Sequence, residues 1–427
     1  LLDVFLPAGY PQSVSSDYIE YQIYDSLQAF SSSIAGLLSA RAVLEGVGVG
    51  DANATPTAAL LLNVVQESMG RIATIVFAHR LGTALEPECK TYRFAADIFN
   101  DTAMILDCLS PAFPKYARVV VLSFSSALRA LCAVAAGSSK ATLSAHFALR
   151  GNLGELNAKD SSQETVISLL GMLVGSLVVS RITTKTTTWL TLLILLTTHL
   201  AMNYAAVRAV SMRSLNRQRA NLVLSYLIED GEVLAPQEVA RKERIFERDG
   251  ALRWKNHAII GNCKIGVSFH TILRCLGDSH ERTGSIQVHQ KEIATLMEIF
   301  EREEYVLWYD EMHSSAYIVL KNGCSADTHL KAWTHALHVA WRASRHLSMD
   351  GKKPRDASLG CFEILSDLRT TLKETSIEFA DYARQLKEAG WDLDIAALET
   401  SSGCRLELGK IDSRSIGPEA MHELRKD

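Results

Sequence analysis

The stretch Thr165 to Val207, TVISLLGMLVGSLVVSRITTKTTTWLTLLILLTTHLAMNYAAV, decides the fold class of this chain. Its second part, Thr188 to Val207, has no charged residue in 20 positions. At about 1.5 Å per helical residue that is long enough to cross a hydrocarbon core roughly 30 Å thick. The first part, Thr165 to Ser180, is also uncharged but only 16 residues long. Its Gly171 and Gly175 form a small-xxx-small pair, which lets a neighbouring helix approach closely. Arg181 and Lys185 mark the tip between the two parts, so the pattern predicts a helical hairpin of membrane-spanning proportions.

Working outward from that hairpin, helical apolar patterns occupy Ala29–Leu44, Pro56–Ala78, Tyr92–Leu109 and Tyr116–Ala136, and the hairpin helices themselves read as Thr165–Ile182 and Thr188–Val210. The joins carry glycine, proline and serine clusters (GVGVGDANATPT, SPAFPK, GSSK), where helical hydrogen bonding can stop. The upstream runs contain Arg41, Glu45, Glu67, Arg71, Asp97, Asp101 and Arg129. A charge on a lipid-facing position costs roughly 2.5 to 3.5 kcal/mol, so these side chains are expected to face inward and pair. The competing reading is a soluble bundle of ordinary amphipathic helices. Beyond the last helix, Arg208, Arg213, Arg217 and Arg219 have no acid among them. The positive-inside bias therefore puts the C-terminal half on the cytosol-like side.

Charge is unevenly spread. Residues 1–210 hold 14 Lys+Arg and 15 Asp+Glu, against 30 and 33 in the remaining 217. Two burial regimes follow: a helical membrane domain over 1–220 and a smaller soluble α+β domain over 221–427, the whole being mostly α. In the latter, Tyr305 to Tyr309 and Ala316 to Leu320 read as a hairpin with a loop of about six residues. Helices follow from about Asp327 and over Leu359 to Ala389. Membrane lipids are the expected surroundings, in an organelle the sequence does not specify, and the start at Leu1 leaves room for a targeting segment upstream. A net charge of −4 without basic, aromatic-interleaved runs argues against nucleic acid as a partner. Eight scattered cysteines without a CxxC pair argue for reduced thiols rather than disulfides or zinc.

Two constellations can carry chemistry. Asp97, Asn100 and Asp101 lie at i, i+3 and i+4, on one face of a helix whose other residues (Phe94, Ile98, Met104, Ile105) are largely apolar. There they can bind a cation, relay a proton, or pair with an arginine of a neighbouring helix, with Arg41, Arg71 and Arg129 as candidates. The second runs from His146 through Arg150, Asn152, Lys159, Gln163 and Glu164. Ser161 or Ser162 is expected to cap the next helix, with Glu164 in its first turn. Capping leaves His146, Arg150 and Lys159 unexplained, and an anionic or phosphate-bearing ligand accounts for them.

Other motifs carry less. Gly46 to Asp51 (GVGVGD) follows a helix and leads into Thr55-Pro56, which reads as a turn before an N-capped helix rather than a phosphate loop. His329, His335 and His338 share a helix with Trp333 and Trp341, which reads as a partly exposed amphipathic helix rather than a metal site. No GxSxG or HExxH is present, no nucleophile and base pair can be named, and neither a cofactor nor a metal is called for. A non-enzymatic role is the better expectation.

Four segments, FLPAGYPQSVSSDYIEYQ (Phe5 to Gln22), RAVLEGVGVGDANATPT (Arg41 to Thr57), YRFAADIFNDTAMIL (Tyr92 to Leu106) and HFALRGNLGELNAKDSSQETVISLLG (His146 to Gly171), together resemble the root-UVB-sensitive (RUS) family. The resemblance covers about residues 3–210, with the remainder similar to that family's more variable C-terminal domain. It implies an integral membrane protein without an accepted enzymatic activity, from a family linked in plants to vitamin B6 homeostasis and the ultraviolet-B response. Its matched positions include Asp97, Asn100, Asp101, His146, Arg150, Asn152, Lys159, Gln163 and Glu164. Two functional expectations follow. One is a polytopic membrane protein that binds or transports a small molecule or ion through these residues. The other is a membrane-anchored adaptor whose C-terminal domain binds a protein partner, a homologue or another protein.

Overall fold

The computed structural model describes residues 5–47, 56–255, 257–279, 286–287, 290–350, 357–401 and 403–407. The chain forms two compact units, one of residues 1–260 with 378–402 and the other of 261–377 with 403–427.

The first unit is built on α1 (Tyr18–Val47), α2 (Pro56–Leu81), α3 (Cys89–Leu109), α4 (Lys115–Phe147), α5 (Leu153–Arg181) and α6 (Lys185–Ala209). Each of the six predicted helices is present. All except α3 are long and apolar enough to cross a membrane, among the described residues. Most of the glycine-rich turn expected at Gly46 to Asp51, and the Thr55 cap, lie outside the described residues.

Boundaries differ from expectation because the helices run on through polar residues. Helix α1 begins at Tyr18, well before Ala29, because Gln22 and Gln28 are buried while Ile23 and Leu27 face outward, about half exposed. The GSSK segment lies inside α4, where Ser139 is wholly buried and its hydroxyl donates to the Ala135 carbonyl at 2.7 Å. Ser161 and Ser162 cap nothing, since α5 starts at Leu153 and the polar stretch forms its first turns.

The outside of the bundle is apolar. Leu60 and Ile75 on α2, Leu173 and Leu177 on α5, and Leu190 and Ile194 on α6 are each more than half exposed. Helices α1 and α5 meet at the two glycines singled out above. A Cβ added at Gly171 would lie 2.7 Å from Ser33 Cβ and 3.0 Å from the Phe30 carbonyl, and one at Gly175 would lie 2.8 Å from Leu37 Cδ1. Close helix approach through small residues is the packing mode open to helices that lack a water-driven hydrophobic force between them.

After α6 the unit continues with α7 (Arg217–Asp230), α8 (Pro236–Lys242) and β1 (Ala251–Arg253). Asn216 caps α7 by accepting from Arg219 N at 2.9 Å, and Gly231 ends it with φ 69°. The arginines expected to set membrane orientation are largely tied up internally. Arg208 donates to the carbonyls of Glu243 and Arg241, Arg217 pairs with Asp249 at 2.6 Å, and Arg219 reaches Glu243 at 3.3 Å. Glu243 also meets Lys90 at 2.7 Å. Burial by itself would raise the Glu243 pKa, but Lys90 and Arg219 outweigh it and hold the carboxyl below its ordinary value.

The second unit contains β2 (Ile259–Ile265, from Gly261 onward), α9 (Phe269–Leu276), β3 (Asp278–Ser279), β4 (Ile286–Gln287), α10 (Gln290–Ile299), β5 (Tyr305–Asp310), β6 (Ser315–Lys321), α11 (Ala326–Asp350), α12 (Ala357–Glu388, up to Ile377) and β7 (Arg405–Leu406). The predicted hairpin is β5 and β6, paired antiparallel from Tyr305 opposite Leu320 to Asp310 opposite Ser315. Its connection is shorter than expected because both strands extend one residue further. Strands β2 and β7 pair in parallel with successive parts of β6, Ser315 to Ile318 and Leu320 to Lys321. All of Tyr305 to Tyr309 is buried. Helix α11 is partly exposed as expected, with Asp327 and Arg345 outward, while His335 and Trp333 are wholly buried and His329 nearly so. All eight cysteines are free thiols.

Candidate functional site

The polar residues of α1, α3 and α6 converge inside the first unit. Arg93 is the hub. Its Nη2 lies 2.6 Å from Asp25 Oδ1, and its Nη1 lies 3.2 Å from both carboxylate oxygens of Asp97. Gln28 and Asn203 also donate to Asp97 Oδ2 through their side-chain amides. One turn along α3, Asp101 faces His199 Nδ1 at 2.7 Å, and the other imidazole nitrogen lies 3.6 Å from Asp97 Oδ2. Asn203, a turn beyond His199 on α6, is fully buried. Asn100 is half-buried and reaches Ser32 Oγ at 3.5 Å.

The acids at 97 and 101 are therefore together, and buried, as their spacing predicts. Their partners are not the ones expected. Arg41 pairs with Glu45 at 3.0 Å and donates to the Ile182 carbonyl at 2.9 Å, Arg71 lies on the exposed side with Glu67 at 4.0 Å, and Arg129 binds Asp107. The cation that meets Asp97 is Arg93, four residues back on the same helix.

The second constellation is dispersed. His146 is buried against Asp17, with Nε2 2.9 Å from Oδ2, and Asp17 also accepts from Ser15 Oγ at 2.5 Å and Ser211 N at 2.7 Å. Burial would raise the Asp17 pKa, but these partners win and lower it to about 2. Arg150 is exposed beyond the end of α4, not on a helix with His146. Asn152 sits at the start of α5 without capping it, and both side-chain atoms lack a partner among the described residues. Lys159 is half-buried on α5. Gln163 donates to the Phe5 carbonyl, and Glu164, exposed, meets Lys140 at 2.8 Å. Lys140 also reaches the buried Asp160 at 2.6 Å, which accepts from Gln22 at 2.5 Å. His146, Arg150 and Lys159 thus do not assemble into one anion cradle. What the fold brings together is Asp97, Asp101, His199, Asn203, Arg93, Asp25 and Gln28.

Five of those seven were not singled out from sequence. Asp25 and Gln28 stand i, i+3 on α1, and His199 and Asn203 stand i, i+4 within an uncharged apolar run, a spacing that places each pair on one face. That spacing was the available signal. The absence of charge over Thr188 to Val207 hid it, because a neutral histidine reads as no charge. Among the described residues no group of three or more His, Cys, Asp or Glu side chains is arranged to hold a metal ion.

Residues 1–231 match a family model described as the vitamin B6 photo-protection and homoeostasis domain, and residues 232–402 match the root UVB sensitive protein, C-terminal. This chain belongs to the root-UVB-sensitive family. Within the family it is 43% identical over 250 residues to RUS family member 1 of Dictyostelium discoideum, which covers 58% of this chain and 47% of that one. It is 37% identical over 247 residues to protein root UVB sensitive 3 of Arabidopsis thaliana, covering 58% and 56%. A longer and weaker match, 24% over 340 residues, joins it to protein root UVB sensitive 2, chloroplastic, of the same plant, covering 79% and 72%. The matched stretch thus spans about half the length of the first two relatives. No solved structure matches the chain.

Proposed function

We propose that this RUS-family chain is a polytopic membrane protein whose first unit binds, and in its membrane transports, a small molecule or ion through the polar core shared by α1, α3 and α6. One observation carries the reading: the bundle is apolar outside and ionisable inside. Ile75, Leu177 and Leu190 point outward while Asp97, Asp101 and His199 are buried. A soluble protein has the opposite polarity, since exposed apolar surface of this extent is unfavourable in water and buried charge is costly unless paired. In a bilayer the same arrangement is the expected one, and ionisable groups held in the interior mark pathways and binding sites. Ion pairs with a permanent cation account for Arg93, Asp25 and Asp97 as structural glue, whereas Asp101 is paired with His199, whose charge depends on a proton. The family description supports a B6 vitamer as the first ligand to try.

Two measurements test the reading. On alkaline carbonate extraction of native membranes the chain should stay in the pellet, and its release into the supernatant would remove the membrane premise. In detergent, pyridoxal, pyridoxamine or pyridoxal 5′-phosphate should raise the melting temperature of the full chain, since a ligand at 100 times its Kd stabilises by about 2.7 kcal/mol. Asp101→Asn should abolish that shift. No shift with any of the three, or with sodium, potassium, chloride or phosphate, would end the binding proposal.

A further inference from the structure

His199 is placed so that both of its ring nitrogens face carboxylates, Nδ1 at 2.7 Å from Asp101 and Nε2 at 3.6 Å from Asp97. A neutral imidazole has one N–H and one lone pair, so it serves one carboxylate and turns a lone pair on the other. The imidazolium presents an N–H and a share of its positive charge to each. The ionisable groups that act on it are Asp97, Asp101 and Arg93 from α3; Asp25 of α1 lies on the far side of Arg93, and from α4 the Cys132 thiol lies near Asp97 and Arg93, with Arg129 beyond it paired to Asp107. Beyond Asp25 lie Asp160 of α5 and Lys140 of α4, which pair with each other.

The charges do not balance. Asp25 and Asp97 pair with one permanent cation, Arg93, and Asp101 faces the ring, so with all three acids ionised a neutral histidine leaves the core with two uncompensated negative charges. Like charges at these separations in a low-dielectric interior repel strongly, and a single proton halves the excess. A second feature is independent of charge. Asn203 is fully buried and commits its Nδ2 to Asp97 and to the Arg93 carbonyl, while its Oδ1, like both Asp101 carboxylate oxygens, has no hydrogen-bond partner among the described residues, the His199 Nδ1 approach to Asp101 being an ion-pair distance. Buried acceptors without donors are rare in native proteins and mark a place where a donor belongs.

We propose that His199 is a proton-binding site of the polar core, holding one exchangeable proton as the imidazolium bridge between Asp97 and Asp101. When it releases that proton, the proton passes from a ring nitrogen to water and the core gains one negative charge. Any cation drawn to Asp101 and Asn203 competes with the proton for the same charge, so occupancy and protonation are linked. That consequence rests on the reading of the core as a binding site, whereas the proton site itself does not.

The test is the 15N spectrum of the full chain, histidine-labelled and in detergent, at about pH 7.5, where an unperturbed imidazole of pKa about 6.5 is mostly neutral. The signal that disappears in His199→Gln should show two protonated nitrogens. In Asp101→Asn the same signal should move to the pattern of one protonated and one bare nitrogen, and this variant identifies it if His199→Gln does not fold. A His199 signal with one bare nitrogen in the unsubstituted chain would overturn the proposal. The result is independent of any ligand-induced melting shift, so failure of the proton site and failure of the binding reading are told apart.

Discussion

His335 shows how a single buried group turns into a pH dependence. It is wholly buried in the second unit, its Nδ1 3.1 Å from the Tyr305 hydroxyl and its Nε2 2.8 Å from Thr371 Oγ1. Thr371 Oγ1 donates to the Asp367 carbonyl at 2.7 Å, so it accepts from His335 Nε2–H and leaves Nδ1 to accept from Tyr305. Both partners are thus satisfied by the neutral ring, and burial lowers the pKa of His335 to about 3. The sign follows. Between about pH 6.5 and 3 the unfolded chain takes up a proton that the folded one refuses, so stability is full above about 6.5 and falls as the pH drops, by about 1.4 kcal/mol per unit. His335→Gln keeps an acceptor and a donor but removes the titration. Melting of the second unit, followed from neutral to acid pH, should fall less steeply in the variant; equal slopes would contradict the assignment.

At the scale of the element, the contact between α1 and α5 makes one kind of substitution act with opposite signs. Alanine at Gly171 would place its Cβ 2.7 Å from Ser33 Cβ and against the Phe30 carbonyl. Overpacking of this kind costs about 1 to 3 kcal/mol, more than the gain of up to about 1 kcal/mol from replacing glycine within a helix. At Gly36 on α1 nothing lies within 4 Å of the added Cβ, so only the helical gain remains. Melting of the purified chain in detergent should therefore fall for Gly171→Ala and hold or rise for Gly36→Ala. Ser33→Gly should restore part of the Gly171→Ala loss, because it removes the atom in the way. If Gly171→Ala were as stable as the parent, the two helices would not be packed as described.

Taken as a whole molecule, the first unit has two surfaces that a membrane would separate. Helix α5 is 29 residues long, about 44 Å at the helical rise, and exceeds a hydrocarbon core of roughly 30 Å. Its polar first turns, with Glu164 exposed, are free to project into water, while Leu173 and Leu177 lie farther along. In unsealed native membrane fragments, where both faces are accessible, a membrane-impermeant maleimide should label Glu164→Cys above the level of the unsubstituted chain. Leu173→Cys should be labelled only after the membrane is dissolved. Equal labelling of the two before detergent would place α5 in water.

Much of the architecture was legible along the chain. The uncharged run from Thr188 to Val207, the Gly171 and Gly175 pair and the aromatic and β-branched runs Tyr305 to Tyr309 and Ala316 to Leu320 each depend on neighbours a few residues apart, and local sequence pattern reports such neighbours directly. The spacing of Asp97 and Asp101 likewise put both acids on one buried face. Apart from Arg93, four residues before Asp97 on the same helix, the partners of those acids were decided only by tertiary structure. His199 and Asn203 meet Asp97 because α6 lies against α3, and the packing of α1 turned Gln22 toward α5 and Asp25 and Gln28 toward α3. His146, Arg150 and Lys159 look like one group along the chain, yet the turn between α4 and α5 sends them to different surroundings. Local spacing sets which face a residue occupies; which other face it meets depends on how whole helices pack, and contacts between residues a hundred positions apart leave no periodic trace in one sequence.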